Sequence, residues 1–468
     1  MKVRMQKTLA DVIGHPQRNR TESERYEGVQ TFMWMTEDNI AEVPFDKEHL
    51  LEFILDPSNL NRAYKSVLRN KGCGGIDGMS CEHLLPWLLA NKETLTRSLQ
   101  DGSYRPNPVR RVEIPKEGGK MRLLGIPTVV DRLVQQAINQ VLTPIYEKQF
   151  SHWSFGFRPG KGCHDALRGA QRIVDEGYRY VVDLDLERFF DTVCHSRLIE
   201  ILGRTIKDGR VVSLIHKYLR SGVISHGLFE SSDEGTPQGG PLSPLLSNIM
   251  LNELDKELTR RRHPFVRYAD DALIFCKSKR AAERVRETIT AFIEKKLHLK
   301  VNKEKTVVSY VGGVKYLGYS FYVQKGRCQL CVHPKSKSKM KSALKDLTRR
   351  SNGWGYDKRK RKLSEYVRGW VGYYHLANMK RFLEETDEWL RRRIRMCIWK
   401  AWKKPKTKVA NLIKCGVEKH QSYMWGNTRL GYWRISDSPI LHTAISSANL
   451  KKQGYPCLLD SYLEWHPN

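Results

Sequence analysis

Apolar positions along the chain change period several times, and each change predicts an element. Over residues 47–68, Leu50, Leu51, Ile54 and Leu55, then Leu60, Tyr64 and Leu68, recur at helical spacing with a break near Pro57. A glycine-rich turn follows, Lys71-Gly-Cys-Gly-Gly-Ile-Asp-Gly78. Residues 109–116 alternate like a strand, Glu117-Gly-Gly-Lys reads as a turn, and residues 121–126 read as the returning strand. Helices are expected over 131–145, 195–202 and 211–219, with a strand over 178–184. Ser243-Pro244 predicts a helix start, the hydroxyl as N-cap and proline in the first position. Residues 265–275 read as two short strands around a tight turn. Further helices are expected over 363–376 and 383–402, the second aligned by Leu383, Thr386, Leu390, Ile394 and Cys397. Residues 1–45 are weakly periodic and read as an irregular arm. A tail from about Asn427 carries Gly431-Tyr-Trp-Arg434.

Length and composition bound this pattern. A chain of 468 residues exceeds one core and predicts two or three domains. Hydrophobic residues at 40% and charged residues at 28% fit a soluble globular protein. No apolar run approaches a membrane helix, and the first residues lack a secretory core, so a cytoplasmic protein without a membrane partner is expected. Charge says more. Lysine and arginine number 81 against 51 acids, a net +30 that favours a polyanionic partner. Ribosome association or a membrane surface are the bland alternatives. Basic residues interleaved with 11 Trp and 20 Tyr favour nucleic acid. Residues 331–420 hold 26 lysines and arginines against 8 acids, a net +18, and mark a separate basic helical domain. Ten cysteines lack disulfide regularity, and Cys328, Cys331 and His333 cannot complete a tetrahedral zinc site alone.

Four segments carry candidate chemistry. Tyr178-Arg-Tyr-Val-Val-Asp-Leu-Asp-Leu-Glu-Arg-Phe-Phe-Asp191 delivers Asp185 to the end of an apolar strand. Phe265-Val-Arg-Tyr-Ala-Asp-Asp-Ala-Leu-Ile-Phe275 places Asp270 and Asp271 at a turn between apolar strands. Aspartate is an ordinary turn residue, but adjacent carboxylates repel unless cations neutralise them. Together Asp185, Asp270 and Asp271 are hard oxygen donors suited to two Mg²⁺ ions and substrate phosphates. Gly235-Thr-Pro-Gln-Gly-Gly-Pro-Leu-Ser-Pro244 is a loop whose glycines admit a nucleotide close to backbone, with Gln238 within reach. Lys116 and Arg122 lie across a turn and suit a triphosphate; a solvated basic hairpin is the rival reading.

In order, these segments resemble the palm of the group II intron reverse transcriptases/maturases. The likeness runs from Asn59-Leu-Asn-Arg-Ala-Tyr64 towards the tail, through Gly75-Ile-Asp-Gly78, Ile114-Pro-Lys116, Arg122-Leu-Leu-Gly-Ile-Pro127, Asp131-Arg132, Phe155-Gly-Phe-Arg-Pro159, Phe189-Phe-Asp191, Thr236-Pro-Gln-Gly239, Tyr268-Ala-Asp-Asp271, Asn302-Lys-Glu-Lys-Thr306 and Tyr316-Leu-Gly-Tyr319. The resemblance implies an α+β, right-hand polymerase: fingers and a palm with an antiparallel sheet, then an α-helical thumb (maturase domain X) and a short C-terminal tail. The implied boundaries are an arm over 1–45, fingers with an N-terminal extension over 46–175, palm over 176–330, thumb over 331–420 and tail over 421–468. The tail has room for a small nucleic-acid-binding segment.

The same resemblance implies Asp185, Asp270 and Asp271 as catalytic metal ligands, Asp185 being preferred to Asp183 by its spacing from Phe189-Phe-Asp191. Asp183 and Asp191 then support by hydrogen bonding or capping. Phe190 resembles the gate against a ribose 2′-hydroxyl, Lys116 and Arg122 triphosphate contacts, Gln238 a nucleotide-pocket residue, and Lys305 a proton donor to pyrophosphate. The implied activity is RNA-directed DNA polymerisation, joined to binding of a structured intron RNA that assists its splicing and copies it during mobility. The implied partners are that RNA, an RNA template with a DNA primer, dNTPs and a DNA target. The lack of a His/Asn nuclease segment with paired CxxC motifs resembles the endonuclease-lacking IIC class. Two other functions fit the sequence: a splicing-only maturase, or a domesticated reverse transcriptase in defence.

Overall fold

The computed structural model describes residues 33–36, 39–42, 48–115 and 121–467. It begins with a hairpin, β1 (Met33–Thr36) and β2 (Asn39–Glu42), inside the stretch expected to be irregular. Four-residue strands are too short to show a period. The helical spacing that follows becomes α1 (Leu50–Leu55) and α2 (Pro57–Asn70). Pro57 opens α2 and Asp56 caps it, accepting from the Ser58 and Asn59 N–H groups. After α3 (Leu84–Gln100), strands β3 (Val109–Pro115) and β4 (Met121–Ile126) pair antiparallel with Ile114 opposite Arg122. Lys116 lies outside the described residues.

Helix α4 (Val129–Glu147) runs through the core and is buried on nearly every side. Its bond to α2 is polar as well as apolar. Buried Asn59 donates Nδ2 to the carbonyls of Ile54 and Ala137, and Gln140 donates back to its Oδ1 at 2.8 Å. Satisfied buried amides of this kind fix one packing register.

Helix α5 (Cys163–Asp175) leads into β5 (Tyr180–Leu184), and then come α6 (His195–Thr205) and α7 (Gly209–Leu219). A small hairpin, β6 (Val223–Ser225) and β7 (Leu228–Glu230), joins the first sheet through a parallel pairing of β6 with β3. Helix α8 (Ser243–Arg260) starts as expected, but with a different cap. Ser243 is its first residue, and its hydroxyl donates to the Pro237 carbonyl at 2.6 Å instead of capping the helix. Strands β8 (Phe265–Tyr268) and β9 (Asp271–Cys276), helix α9 (Lys279–Phe292) and β10 (Val307–Tyr310) follow. The resulting antiparallel sheet has the order β10-β5-β9-β8. Val182, Leu184, Ala272 and Ile274 on one of its faces join the core shared with α8 and α9. The other face carries buried Val181, Leu273 and Phe275, with Asp183 and then Asp185 towards the end of β5.

Contacts divide the chain into two compact units, Met1–Tyr310 and Val311–Asn468. The second opens with a sheet of β11 (Lys315–Tyr316), β12 (Tyr319–Gln324) and β13 (Arg327–Val332). Cys328 and Cys331 fall on opposite faces of β13, neither in a disulfide, and His333 accepts from the Lys335 N–H at the start of the next helix. The three do not converge. The basic stretch forms α10 (Pro334–Leu347), α11 (Tyr356–Tyr374) and α12 (Lys380–Ala401). Leu383, Thr386, Leu390, Ile394 and Cys397 are all buried, as their spacing required. Then come α13 (Pro405–Lys414), α14 (Lys419–Gly426), α15 (Tyr432–Ile435), α16 (Pro439–Ala444), α17 (Ser447–Lys452) and α18 (Leu458–Leu463). Asp387 of α12 caps α18, accepting from the Leu458 and Leu459 N–H groups. Among the described residues no helix is long and apolar enough to cross a membrane.

Candidate active site

Asp183 pairs with Leu273 across β5 and β9, so the same register carries Asp185 level with Asp271 at the strand ends. Residues two apart on a strand share a face, and so do residues directly opposite. Asp183, Asp185 and Asp271 therefore crowd one surface. Burial first, then the charges of Asp271 and Asp185, push the Asp183 carboxyl up to about 6. Asp270 occupies the turn beside them, between Tyr268 and Asp271, which pair in register. Asp191, demoted on sequence grounds, closes the short 3₁₀ turn Phe189–Asp191 and is exposed.

Asp185 is held from behind. Its carbonyl accepts from the Asn302 N–H at 2.9 Å, and its N–H donates to Thr306 Oγ1 at 3.2 Å. Asn302-Lys-Glu-Lys-Thr306 is thus the brace of this aspartate, and Lys305 from the same loop places Nζ 3.2 Å from its Oδ2. Sequence reading identified the motif but not this task, because the bonds span more than a hundred residues.

Phe190 is partly exposed while Phe189 is buried, their rings edge-to-face at 5.3 Å. The Phe190 carbonyl accepts from the Thr236 N–H at 2.6 Å. Gly235 makes this contact possible: at φ +92°, a Cβ there would fall 2.9 Å from the carbonyl oxygens of Phe190 and Asp191. Phe190 and the glycine-rich loop are therefore one backbone unit. The loop's other side is bound to β4, where the Gly125 N–H donates to the Gln238 carbonyl at 2.8 Å and Arg122 Nε to Gln238 Oε1 at 3.0 Å. Arg122 and Gln238, expected separately as nucleotide contacts, are brought together.

One buried group was missed by sequence reasoning. Arg267 is 1% exposed. It donates Nε and one terminal nitrogen to the two oxygens of Asp255, at 2.8 and 2.6 Å. Its other terminal nitrogen donates to Asn248 Oδ1 and to the Ala269 carbonyl, both at 2.9 Å. A signal was available: an arginine inside the apolar run Phe265-Val-Arg-Tyr268 must find partners if the strand is buried.

The residues fit a divalent cation on three observations. The donors are oxygen only, the charges of Asp271 and Asp185 add to burial in raising the Asp183 carboxyl, and an ammonium already lies against Asp185. Among the described residues no three acid, histidine or cysteine side chains close into a ready metal cage. Magnesium is commonly held by one or two carboxylates, with substrate phosphates and water completing its shell.

A sheet bearing carboxylates level at adjacent strand ends, beside a bulky ring and a glycine-rich loop, is the palm of a polymerase. Residues 114–321 match the family model described as reverse transcriptase (RNA-dependent DNA polymerase), and residues 337–416 match the group II intron, maturase-specific domain. The chain belongs to the group II intron reverse transcriptase/maturase family and is an RNA-directed DNA polymerase. It is 36% identical over 321 residues to Protein YkfC of Escherichia coli (strain K12), covering 60% of this chain and 84% of that one. It is 32% identical over 363 residues to the group II intron-encoded protein LtrA of Lactococcus lactis subsp. cremoris, with 62% of this chain matched. The chain spans 59% of LtrA's length. Among solved structures, a chain of a partial Cas6-RT-Cas1–Cas2 complex matches at 23% identity and TM-score 0.34, covering 53% of this chain and 42% of that one.

Proposed function

We propose that the chain copies RNA into DNA with two Mg²⁺ ions held by Asp185, Asp270 and Asp271, and that it binds a structured intron RNA to assist splicing and to copy it during mobility. The observation that carries this reading is Asp185 level with Asp271 on neighbouring strands, with Asp270 in the adjoining turn. Asp185, Asp270 and Asp271 would hold the ions, which when bound would supply activation of the primer 3′-hydroxyl and charge compensation for the departing pyrophosphate.

The chain's own residues supply the rest. Arg122, oriented by Gln238, and Lys116 hold the triphosphate, where the planar guanidinium can bridge two phosphate oxygens. Phe190, immobilised through its carbonyl, blocks a ribose 2′-hydroxyl. Lys305 neutralises Asp185 before substrate arrives, and is then free to give its proton to pyrophosphate. The fingers lie within residues 46–175, the palm within 176–330, the thumb within 331–420 and the tail within 421–468. The thumb's net +18 grips template–primer and intron RNA through phosphates. A DNA target and a cytoplasmic setting belong to the same proposal.

The test is primer extension by the purified chain with dNTPs, Mg²⁺ and an RNA template, run beside splicing of the RNA encoded around its gene. The expected result is full-length cDNA and faster splicing at low salt. Extension on DNA alone, with no product on RNA, would overturn the reading.

A further inference from the structure

The turn that presents Asp270 and Asp271 is unusual in its own backbone. Only two residues, Ala269 and Asp270, join β8 to β9, and Ala269 sits at φ +56°. Two-residue hairpin turns favour glycine, asparagine or aspartate at such left-handed positions. An alanine there must be held, and the holding groups are all visible.

From below, the Arg267 guanidinium donates to the Ala269 carbonyl at 2.9 Å. From the side, Gly156 packs backbone to backbone: a Cβ at that position would lie 2.2 Å from the Ala269 nitrogen. The Gly156 segment is itself tied down. The Arg267 N–H donates to the Trp153 carbonyl, the Phe155 N–H donates to the Arg267 carbonyl, and Asn248 donates Nδ2 to the Gly156 carbonyl at 2.9 Å. Asn248 Oδ1 accepts from Arg267, and Asp255, 0% exposed, takes the remaining face of the guanidinium through both oxygens. Both residues stand on α8, which begins directly after the loop carrying Gln238.

We infer that Arg267, locked by Asp255 and Asn248, is a positioning residue that holds Asp270 and Asp271 in metal-binding geometry. The chemistry requires arginine. Four acceptor oxygens on three residues lie around one planar fork, and a lysine at this site could keep Asp255 but could not also span Asn248 and Ala269. Groups that orient metal ligands typically cost 10- to 100-fold in metal affinity or activity when removed. The inference rests on reading Asp270 and Asp271 as metal ligands.

The test compares the full chain with Arg267→Lys and with Ile215→Ala, a cavity variant in α7 that destabilises the same unit away from the turn. For Arg267→Lys, the Mg²⁺ concentration giving half-maximal extension should rise roughly 10- to 100-fold. At saturating Mg²⁺, KM for dNTP should stay within about twofold, and amide hydrogen exchange across residues 268–271 should accelerate. Ile215→Ala should lower the melting temperature with neither change. Asn248→Ala, which leaves the ion pair in place, should shift both readouts in the same direction by several-fold, and it serves if Arg267→Lys does not fold. Unchanged exchange and Mg²⁺ requirement in both variants would overturn the clamp, as would Ile215→Ala reproducing the two changes. Exchange reads the turn without any metal, whereas failure of the underlying metal-site reading would appear as surviving extension in Asp270→Ala/Asp271→Ala.

Discussion

Asp270→Ala/Asp271→Ala should abolish RNA-templated primer extension while leaving affinity for structured RNA within a few-fold. Two carboxylates leave the turn between β8 and β9, and Asp185 alone cannot hold two divalent ions against water. A loss of at least ~10⁴-fold, about 5.5 kcal/mol of barrier, is the scale expected when ions stabilising the attacking and leaving oxygens are lost. The fold should survive, because Asp271 is exposed and neither aspartate belongs to the apolar core. Removing them also relieves repulsion on Asp183, whose carboxyl is raised by burial, Asp271 and Asp185 in turn. Gel-based extension and filter binding on one preparation separate the two outcomes. Residual cDNA synthesis near the parent rate would remove these aspartates from the mechanism.

Phe190→Ala should change which sugar is accepted more than how fast the correct one reacts. The ring cannot withdraw by backbone movement, since its carbonyl is tied to Thr236 and Gly235 fills the space behind. Forcing an extra group into a packed site costs about 1–3 kcal/mol, equivalent to discrimination of roughly 5- to 150-fold. Deleting the ring should therefore raise ribonucleotide kcat/KM by that factor, with the deoxynucleotide value changing less. Steady-state kinetics with matched dNTP and rNTP measure it. An unchanged ratio would mean that Phe190 packs against Phe189 and serves no gating purpose.

Much of this site was legible because its residues lie at the ends of strongly patterned strands. The alternation over residues 109–126 and the apolar flanks of Tyr268-Ala-Asp-Asp271 named both hairpins, and the resemblance supplied the order of the motifs. Helix α12 was legible for the same reason: a long stripe at one spacing has one solution. Short elements escaped. The β1–β2 hairpin and α15 to α18 have four to six residues each, too few for a period. Ser243 was misread as a cap because its sequence neighbourhood is that of a helix start, whereas its acceptor, Pro237, belongs to a folded loop. The support for the aspartates was not legible at all. Arg267 needs Asn248, Asp255 and Gly156, and Asp185 needs Asn302 and Thr306; these pairings exist only once distant segments are packed.

The metal pair is the centre of the account, and one structure would test it: the chain bound to an RNA template, a terminated DNA primer and an incoming dNTP, with Mn²⁺ replacing Mg²⁺ and located by anomalous scattering. Two peaks are expected, roughly 3.5–4 Å apart, within coordination distance of Asp185 and of the Asp270–Asp271 turn and both touching the triphosphate. A single peak, or ions held by Asp183 and Asp191 with Asp271 facing away, would contradict it.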